Sequence, residues 1–367
     1  MIVRDVTRVT VLANVVVVVV GLIVLTLLPR WNSGGDGART AVAARPSEPA
    51  PATASAEAPP GDKEPVTATP ESAKKVKANE AGLVPVIMYH RLLPKRIASI
   101  DRTPGQFRKE LERLARKNYV PITAAEFVSG EIDIPAGSHP VVLTFDDGHS
   151  SHFALDSDGA PKRDTAVGII YEVAAKYPEF RPVATFWVNR TPFGLNDRAE
   201  QTRAVKWLVE RGFEVANHTY DHPDLRSLPT KRVSEQIVRQ ERLLAKLGTG
   251  PSTTLALPYG SRPRKLSVAH DGKWDGTRYD FDGVFLAGAE PAVSPFAKKF
   301  ERYAIPRIQS NGKHGECSRW CTTYWLDWLD DHPKKRYTSD GDPKSVSIPR
   351  KLRDTVASKR AGKIVVY

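Results

Sequence analysis

The sequence predicts an α/β domain on a mainly parallel sheet, carried behind an apolar anchor and an extended spacer. Three observations predict this. From Val84 onward, short apolar runs alternate with amphipathic stretches. Residues 9–28 carry no charge. Residues 41–80 hold seven Pro and eleven Ala with almost no large apolar side chain.

The uncharged run is twenty residues long, the length of helix that crosses a bilayer. A cleavable signal sequence is the rival reading, because basic residues precede the run and Ala41-Val42-Ala43 resembles a cleavage site; that site lies too far beyond the apolar stretch. The chain is thus expected to have a short tail and one transmembrane helix over 1–30. A disordered Pro/Ala-rich linker unable to bury a core follows over 31–80, then a globular domain over 81–367. Arg4 and Arg8 precede the run, and Arg30, Arg39 and Arg45 follow it, so charge does not orient it. A spacer between membrane and domain suits a domain outside the cytoplasm, periplasmic or at the cell surface.

Within the domain, residues 84–89 read as a first buried strand. Phe107, Leu111, Leu114 and Ala115 recur at helical spacing, and residues 119–122 return as a strand. Further strands are expected at 140–145, 182–188, 213–216, 254–257, 283–286 and 303–308. Helices are expected at 166–176, 199–211 and 233–247.

With 41% apolar residues in 367, the chain can fill a substantial core. Its net charge of +12 is uneven: residues 1–80 hold nine Lys/Arg against eight Asp/Glu, leaving 45 against 34 for the rest. Such a basic domain favours polyanions, whether nucleic acid, anionic lipid or an acidic wall polymer. It has no run of five Lys/Arg and no stacking motif with interleaved aromatics, so no nucleic acid is expected as partner, and no protein partner is predicted. Cys317 and Cys321 form either a local disulfide or two free thiols, with no second pair to complete a zinc site. Trp320, Tyr324, Trp325 and Trp328 form either a sugar-stacking surface or a packed helix.

The chemistry sits where strands end. The strand at 140–145 ends in Asp146-Asp147-Gly148, two carboxylates beside a turn-permitting glycine, and taken alone a simple turn. The strand at 213–216 ends in Asn217-His218-Thr219-Tyr220-Asp221-His222-Pro223, whose imidazoles converge if the segment makes a helical turn. A surface pair is the bland alternative. Together, two His and one carboxylate make a catalytic metal shell with a position open for water, and the second carboxylate becomes the natural base. The strand at 254–257 ends in Pro258-Tyr259-Gly260, a rigid turn able to aim a backbone N–H at that centre.

Thr144-Phe145-Asp146-Asp147-Gly148, His218 to Pro223 and Pro258-Tyr259-Gly260 resemble, in order and spacing, the polysaccharide deacetylases of carbohydrate esterase family four, the NodB-homology domain. Val86-Ile87-Met88-Tyr89-His90 is similar to that family's first strand, and the resemblance covers roughly residues 84–310. It implies a distorted (β/α) barrel with about seven parallel strands. It implies a divalent metal, zinc in the first instance, on Asp147, His218 and His222, with Asp146 as general base and the Tyr259 N–H in the oxyanion hole. Pro258 and His90 are expected to line the substrate. The reaction implied is hydrolysis of linear amides, N-acetyl groups of a cell-wall or surface polysaccharide.

Two features depart from the family. The arginine that orients the base two residues before the proline is here Ala256; Arg307 is the replacement candidate, with Arg262 second. The terminal Leu-x-His motif, source of the proton for the leaving amine, is absent, leaving His314, His90 and His270. His149 and His152 read as loop residues. Two other functions remain open: an O-acetyl ester hydrolase, and a non-catalytic, membrane-anchored glycan-binding module.

Overall fold

The frame is a sheet of eight strands that pair only in parallel: β1 (Val86–Tyr89), β2 (Tyr119–Ile122), β3 (His139–Phe145), β4 (Thr185–Val188), β5 (Glu214–Asn217), β6 (Thr254–Ala256), β7 (Gly283–Phe285) and β8 (Ile308–Gln309). The computed structural model describes residues 66–359 and 361–367. Seven strands run in the order β7-β6-β5-β4-β3-β1-β8, and β2 pairs with the start of β3. Segment 302–309 joins the two edges. Val284 N–H donates to Arg302 O, Ile305 N–H to Val284 O and Leu286 N–H to Ile305 O, while Ile308 and Gln309 pair with Ile87 and Met88 of β1. This is the sheet of a distorted barrel.

Every residue of β3 is buried, as expected for a central parallel strand covered on both faces. Its alternation divides the core. Val141, Leu143 and Phe145 face the helices α2 (Pro104–Arg116), α4 (Ala166–Lys176), α5 (Arg198–Val209) and α6 (Thr230–Leu247) through Phe107, Ile169, Leu208 and Leu244. Val142 faces the other way, with Trp187, Ala216, Ala256, Phe285 and Phe127 of helix α3 (Ala124–Ser129). Thr103 and Gln106 cap α2 reciprocally with Pro104 in its first turn, which satisfies orphan backbone donors at that end.

The anchor expected at 9–28 lies outside the described residues, as does the linker over 31–65. Among the described residues, no helix is long and apolar enough to cross a membrane. Residues 66–80, expected as the end of a disordered linker, are folded here: helix α1 (Pro70–Val76) buries Ala73, with Ala68 and Ala78 at its ends, beside Val365. Composition alone missed this, because the small side chains that suit a spacer also suit close packing. The strand expected at 303–308 is regular only at Ile308–Gln309. Cys317 and Cys321 form a disulfide. Of the aromatic tail, Tyr324, Trp325 and Trp328 lie half-buried on helix α7 (Thr322–Asp331), with Trp325 Nε1 donating to Ala289 O (2.6 Å), while Trp320 precedes the helix and is exposed.

Candidate active site

Asp146 and Asp147 leave β3 and His218 leaves β5, at the same end of the sheet as His90 after β1 and Tyr259 after β6. Asp147 Oδ1 stands 3.5 Å from His218 Nε2 and 3.3 Å from His222 Nε2, and one ligand atom from each of the three lies within 4.8 Å of the others. The imidazole of His218 is fixed from behind, its Nδ1 2.8 Å from the Ala256 carbonyl. That bond puts the proton on Nδ1 and turns the Nε2 lone pair toward Asp147, the arrangement of a metal-ligating histidine. Two neutral imidazoles and a carboxylate on one point are a donor set that fits a divalent cation of the zinc type.

The backbone is strained where it delivers these groups. Asp147 (φ 74°), Thr219 (φ 65°), His222 (φ 53°) and Tyr259 (φ 58°) all occupy the left-handed region, unusual for residues with a Cβ and concentrated at functional sites. Gly260 (φ 64°) also has a steric reason: a Cβ there would stand 2.7 Å from Ala287 N. Side chains hold the strained loop. Asn189 Nδ2 donates to His218 O and Thr219 O at 2.8 and 3.0 Å. Asp221, between the two histidines, receives Arg190 (2.9 Å), Arg239 (2.9 Å) and Gln236 (2.8 Å), while its own N–H donates to Gln236 Oε1 (2.8 Å).

Asp146 is 3% exposed and Arg307 is fully buried. The guanidinium grips both carboxylate oxygens at 2.7 Å, donates to Leu286 O (2.7 Å) and Thr144 Oγ1 (3.2 Å), and lies 5.0 Å from the Trp187 ring centroid. Burial pushes the Asp146 carboxyl up, but Arg307, and after it His218, outweigh this and hold it far below the usual carboxylate range. Burial likewise raises Asp147, and His218 overcomes it. The place of the missing arginine has a packing reason. Ala256 shares its face of the sheet with Trp187, which spans toward Phe285 (4.8 Å between centroids) and bonds Thr254 (2.9 Å). A long side chain at 256 would meet that indole, so the cation enters from the β8 side.

His90 is the candidate acid found at this site. Burial lowers its pKa against the pull of Asp146 and Asp147, and its buried Nδ1 has no hydrogen-bond partner among the described residues. Its carbonyl accepts from His152 Nε2. His152, expected as a loop residue, is thus a buried support, held down to about 4 by burial; its spacing from Asp146 carried no sign of that. The other candidates go elsewhere. His270 stacks on Tyr303 at 3.8 Å, His314 is exposed in the loop after β8, and Arg262 lines a surface groove while Arg307 takes Asp146. Pro258 is buried at the start of the turn and Tyr259 is 70% exposed, its ring 4.5 Å from that of His222. Within the turn that carries Tyr259, Gly260 N–H bonds Leu257 O and Ser261 N–H bonds Pro258 O. The bracing roles of Asn189, Asp221, Gln236 and His152 escaped sequence reasoning, because the partners they brace lie elsewhere in the chain.

Residues 133–272 match the family described as polysaccharide deacetylase. A peptidoglycan-N-acetylglucosamine deacetylase of Bacillus cereus is 25% identical over 158 residues, 43% of this chain and 50% of the relative. A chitooligosaccharide deacetylase of Rhizobium leguminosarum bv. phaseoli is 32% identical over 136 residues, 36% of this chain and 50% of the relative. The chain spans about half the length of the curated relatives it matches. The solved deacetylase PplD of Streptococcus pyogenes aligns at a TM-score of 0.46 and 18% identity, over 62% of this chain and 91% of that one. The matched residues 133–272 contain the Asp146-Asp147 pair, both histidines and the Pro258-Tyr259 turn, so this chain is similar to the polysaccharide deacetylase family over the segment that carries the candidate site.

Proposed function

We propose that the chain is a metal-dependent hydrolase that removes N-acetyl groups from an N-acetylated sugar of a cell-wall or surface polysaccharide. The observation that carries this is the triplet Asp147, His218 and His222 beside a second carboxylate, Asp146, buried and gripped by Arg307.

A divalent ion on the triplet, zinc by its donor set, supplies a Lewis acid for the acetamide carbonyl and acidifies a water toward a pKa of about 7. The remaining chemistry belongs to the chain. Asp146 is ionised at any working pH and has lone pairs beyond those Arg307 engages, so it accepts the proton of the attacking water. Arg307 fixes its orientation and keeps it charged. The Tyr259 N–H donates to the oxyanion as the carbonyl becomes tetrahedral, a contribution of about 3 kcal/mol for one such donor. The proton that Asp146 takes from the water passes to His90 and from it to the departing amine; burial, which lowers the pKa of that imidazole, makes its protonated form the stronger acid. Pro258 holds the turn that shapes the floor beneath the sugar. The anchor over 1–30 and the spacer that follows would present this domain outside the cytoplasm, a reading supported by the uncharged run and the Pro/Ala composition.

The test is acetate release by the full chain from N-acetylglucosamine oligomers and peptidoglycan, with zinc, with chelator, and as Asp146→Asn. Release that requires both metal and Asp146 upholds the reading. A folded, zinc-loaded chain that releases free hydroxyls rather than free amines discards it for ester hydrolysis, and a chain that binds no metal discards hydrolysis altogether.

A further inference from the structure

Beside the site lies a groove of about 530 Å³ lined by Arg226, Gly260, Ser261, Arg262, Pro263 and Arg264. Its lining is joined through the chain to residues of the reacting centre. Gly260 follows Tyr259, whose ring packs on the metal-candidate His222, and Ser261 Oγ donates to Asp224, two residues past His222. All three arginines are exposed, and among the described residues none donates a side-chain hydrogen bond or closes an ion pair. By contrast, Arg190 and Arg239 are held by Asp221, Arg242 by Asp275, Arg302 by Asp282 and Arg307 by Asp146. The carboxylate joined to the groove, Asp224, already accepts from Ser261 and from the Arg226 backbone N–H. Arg262 also borders a neighbouring cavity, where Glu301 stands. Three guanidiniums against these acids leave the groove positive.

Like charges converge on one concavity at a cost unless an anion joins them, and the planar guanidinium matches a carboxylate or phosphate two bonds at a time. We infer that the polymer this chain acts on is anionic, and that Arg226, Arg262 and Arg264 take the carboxylate or phosphate of a unit neighbouring the reacting N-acetyl sugar. This rests on the deacetylase reading and names its substrate class. It also gives a use to the basic excess of residues 81–367, 45 Lys/Arg against 34 Asp/Glu, which would gather such a polymer at the surface.

The test compares the full, zinc-loaded chain with the triple variant Arg226→Gln/Arg262→Gln/Arg264→Gln on three oligomers of matched length. One is neutral poly-N-acetylglucosamine, one alternates with carboxylate-bearing units, and one carries phosphodiesters. The quantity read is the ratio of kcat/KM on each acidic oligomer to that on the neutral one. The ratio should fall about tenfold in the variant, the loss expected of one strong charge-assisted contact, and should fall with salt in the wild type only. Whichever acidic oligomer shows the larger ratio identifies the anion. A wild-type ratio near one, or a ratio untouched by the triple substitution, overturns the inference. If no oligomer is deacetylated, the same three are titrated calorimetrically into both proteins. A preference for acidic oligomers lost in the variant keeps the anion groove while deacetylation is discarded, and equal binding or none overturns the groove as well.

Discussion

Two carboxyl groups are buried equally deeply in this domain and meet opposite fates. Asp146, 3% exposed, sits at the strand ends with Arg307 on both its oxygens. Glu80, 2% exposed, sits near the strand starts, where it accepts from Ser347 N–H (2.6 Å), Tyr337 Oη (3.2 Å) and Asp340 N–H (3.3 Å). Burial raises both. At Asp146 the guanidinium overcomes it; at Glu80 no cation does, and the neighbouring Asp340 adds to it, so the carboxyl is held well above its ordinary value. The partner, rather than the depth, decides which acid stays charged. A carboxylate held low stays a charged acceptor, while one held high takes up a proton more readily and serves as a hydrogen-bonded tie.

The comparison breaks most visibly at Arg307. Arg307→Ala leaves Asp146 buried without its counter-charge, which should destabilise the fold by about 3–5 kcal/mol in denaturant unfolding. With metal content unchanged, acetate release should fall by about 100-fold or more, the share of an oriented base. Pairing Arg307→Met with Asp146→Asn removes both charges and should recover most of the stability and none of the turnover. Full turnover in a metal-loaded Arg307→Ala chain would discard its role as the partner of the base. A smaller effect is expected at the loop that carries the histidines. Asp221→Asn keeps the size and the backbone bond to Gln236 and loses two ion pairs, so zinc affinity in a chelator competition should weaken about tenfold.

Glu80 sharpens the other side of the comparison. Its folded pKa lies above its unfolded one, so the folded state holds the proton longer. Stability attributable to Glu80 is therefore fully present below the ordinary glutamate range, about 4.3, and declines as pH rises through the raised value. Asp146 behaves in the reverse sense, its contribution declining as pH falls below the usual carboxylate range. In Glu80→Gln the downward slope with rising pH should vanish when unfolding free energy is followed from pH 4 to 8; parallel curves for the two proteins would show that Glu80 is charged throughout.

The same pair explains what the sequence disclosed. Asp146-Asp147 and the two histidines were legible because each lies at the end of an apolar run, where chain order alone fixes the geometry. The parallel strands were legible for the same reason. Arg307 was legible only as a replacement for the charge that Ala256 lacks, and Trp187, which explains the swap, sits in a strand that reads as ordinary core. Glu80 was assigned to a linker, since its partners Tyr337, Asp340 and Ser347 lie more than 250 residues further on. Residues 66–80 look like spacer for that reason. What a single sequence hides is the long-range partner that decides whether a polar residue is surface or core.

The smallest effect comes from moving the Arg–carboxylate pair to the surface. Arg108 Nε meets Glu172 at 2.9 and 3.0 Å and Nη2 adds a third contact at 3.0 Å, a grip as complete as that of Arg307 on Asp146. The side chains are 29% and 52% exposed, so water solvates either partner when the other is removed. Arg108→Ala should therefore change unfolding free energy by less than about 1 kcal/mol, and 0.5 M salt should erase much of that. A loss comparable to that of Arg307→Ala would mean that contact geometry, not desolvation, sets the strength of these pairs, and the contrast between the two buried acids would need another cause.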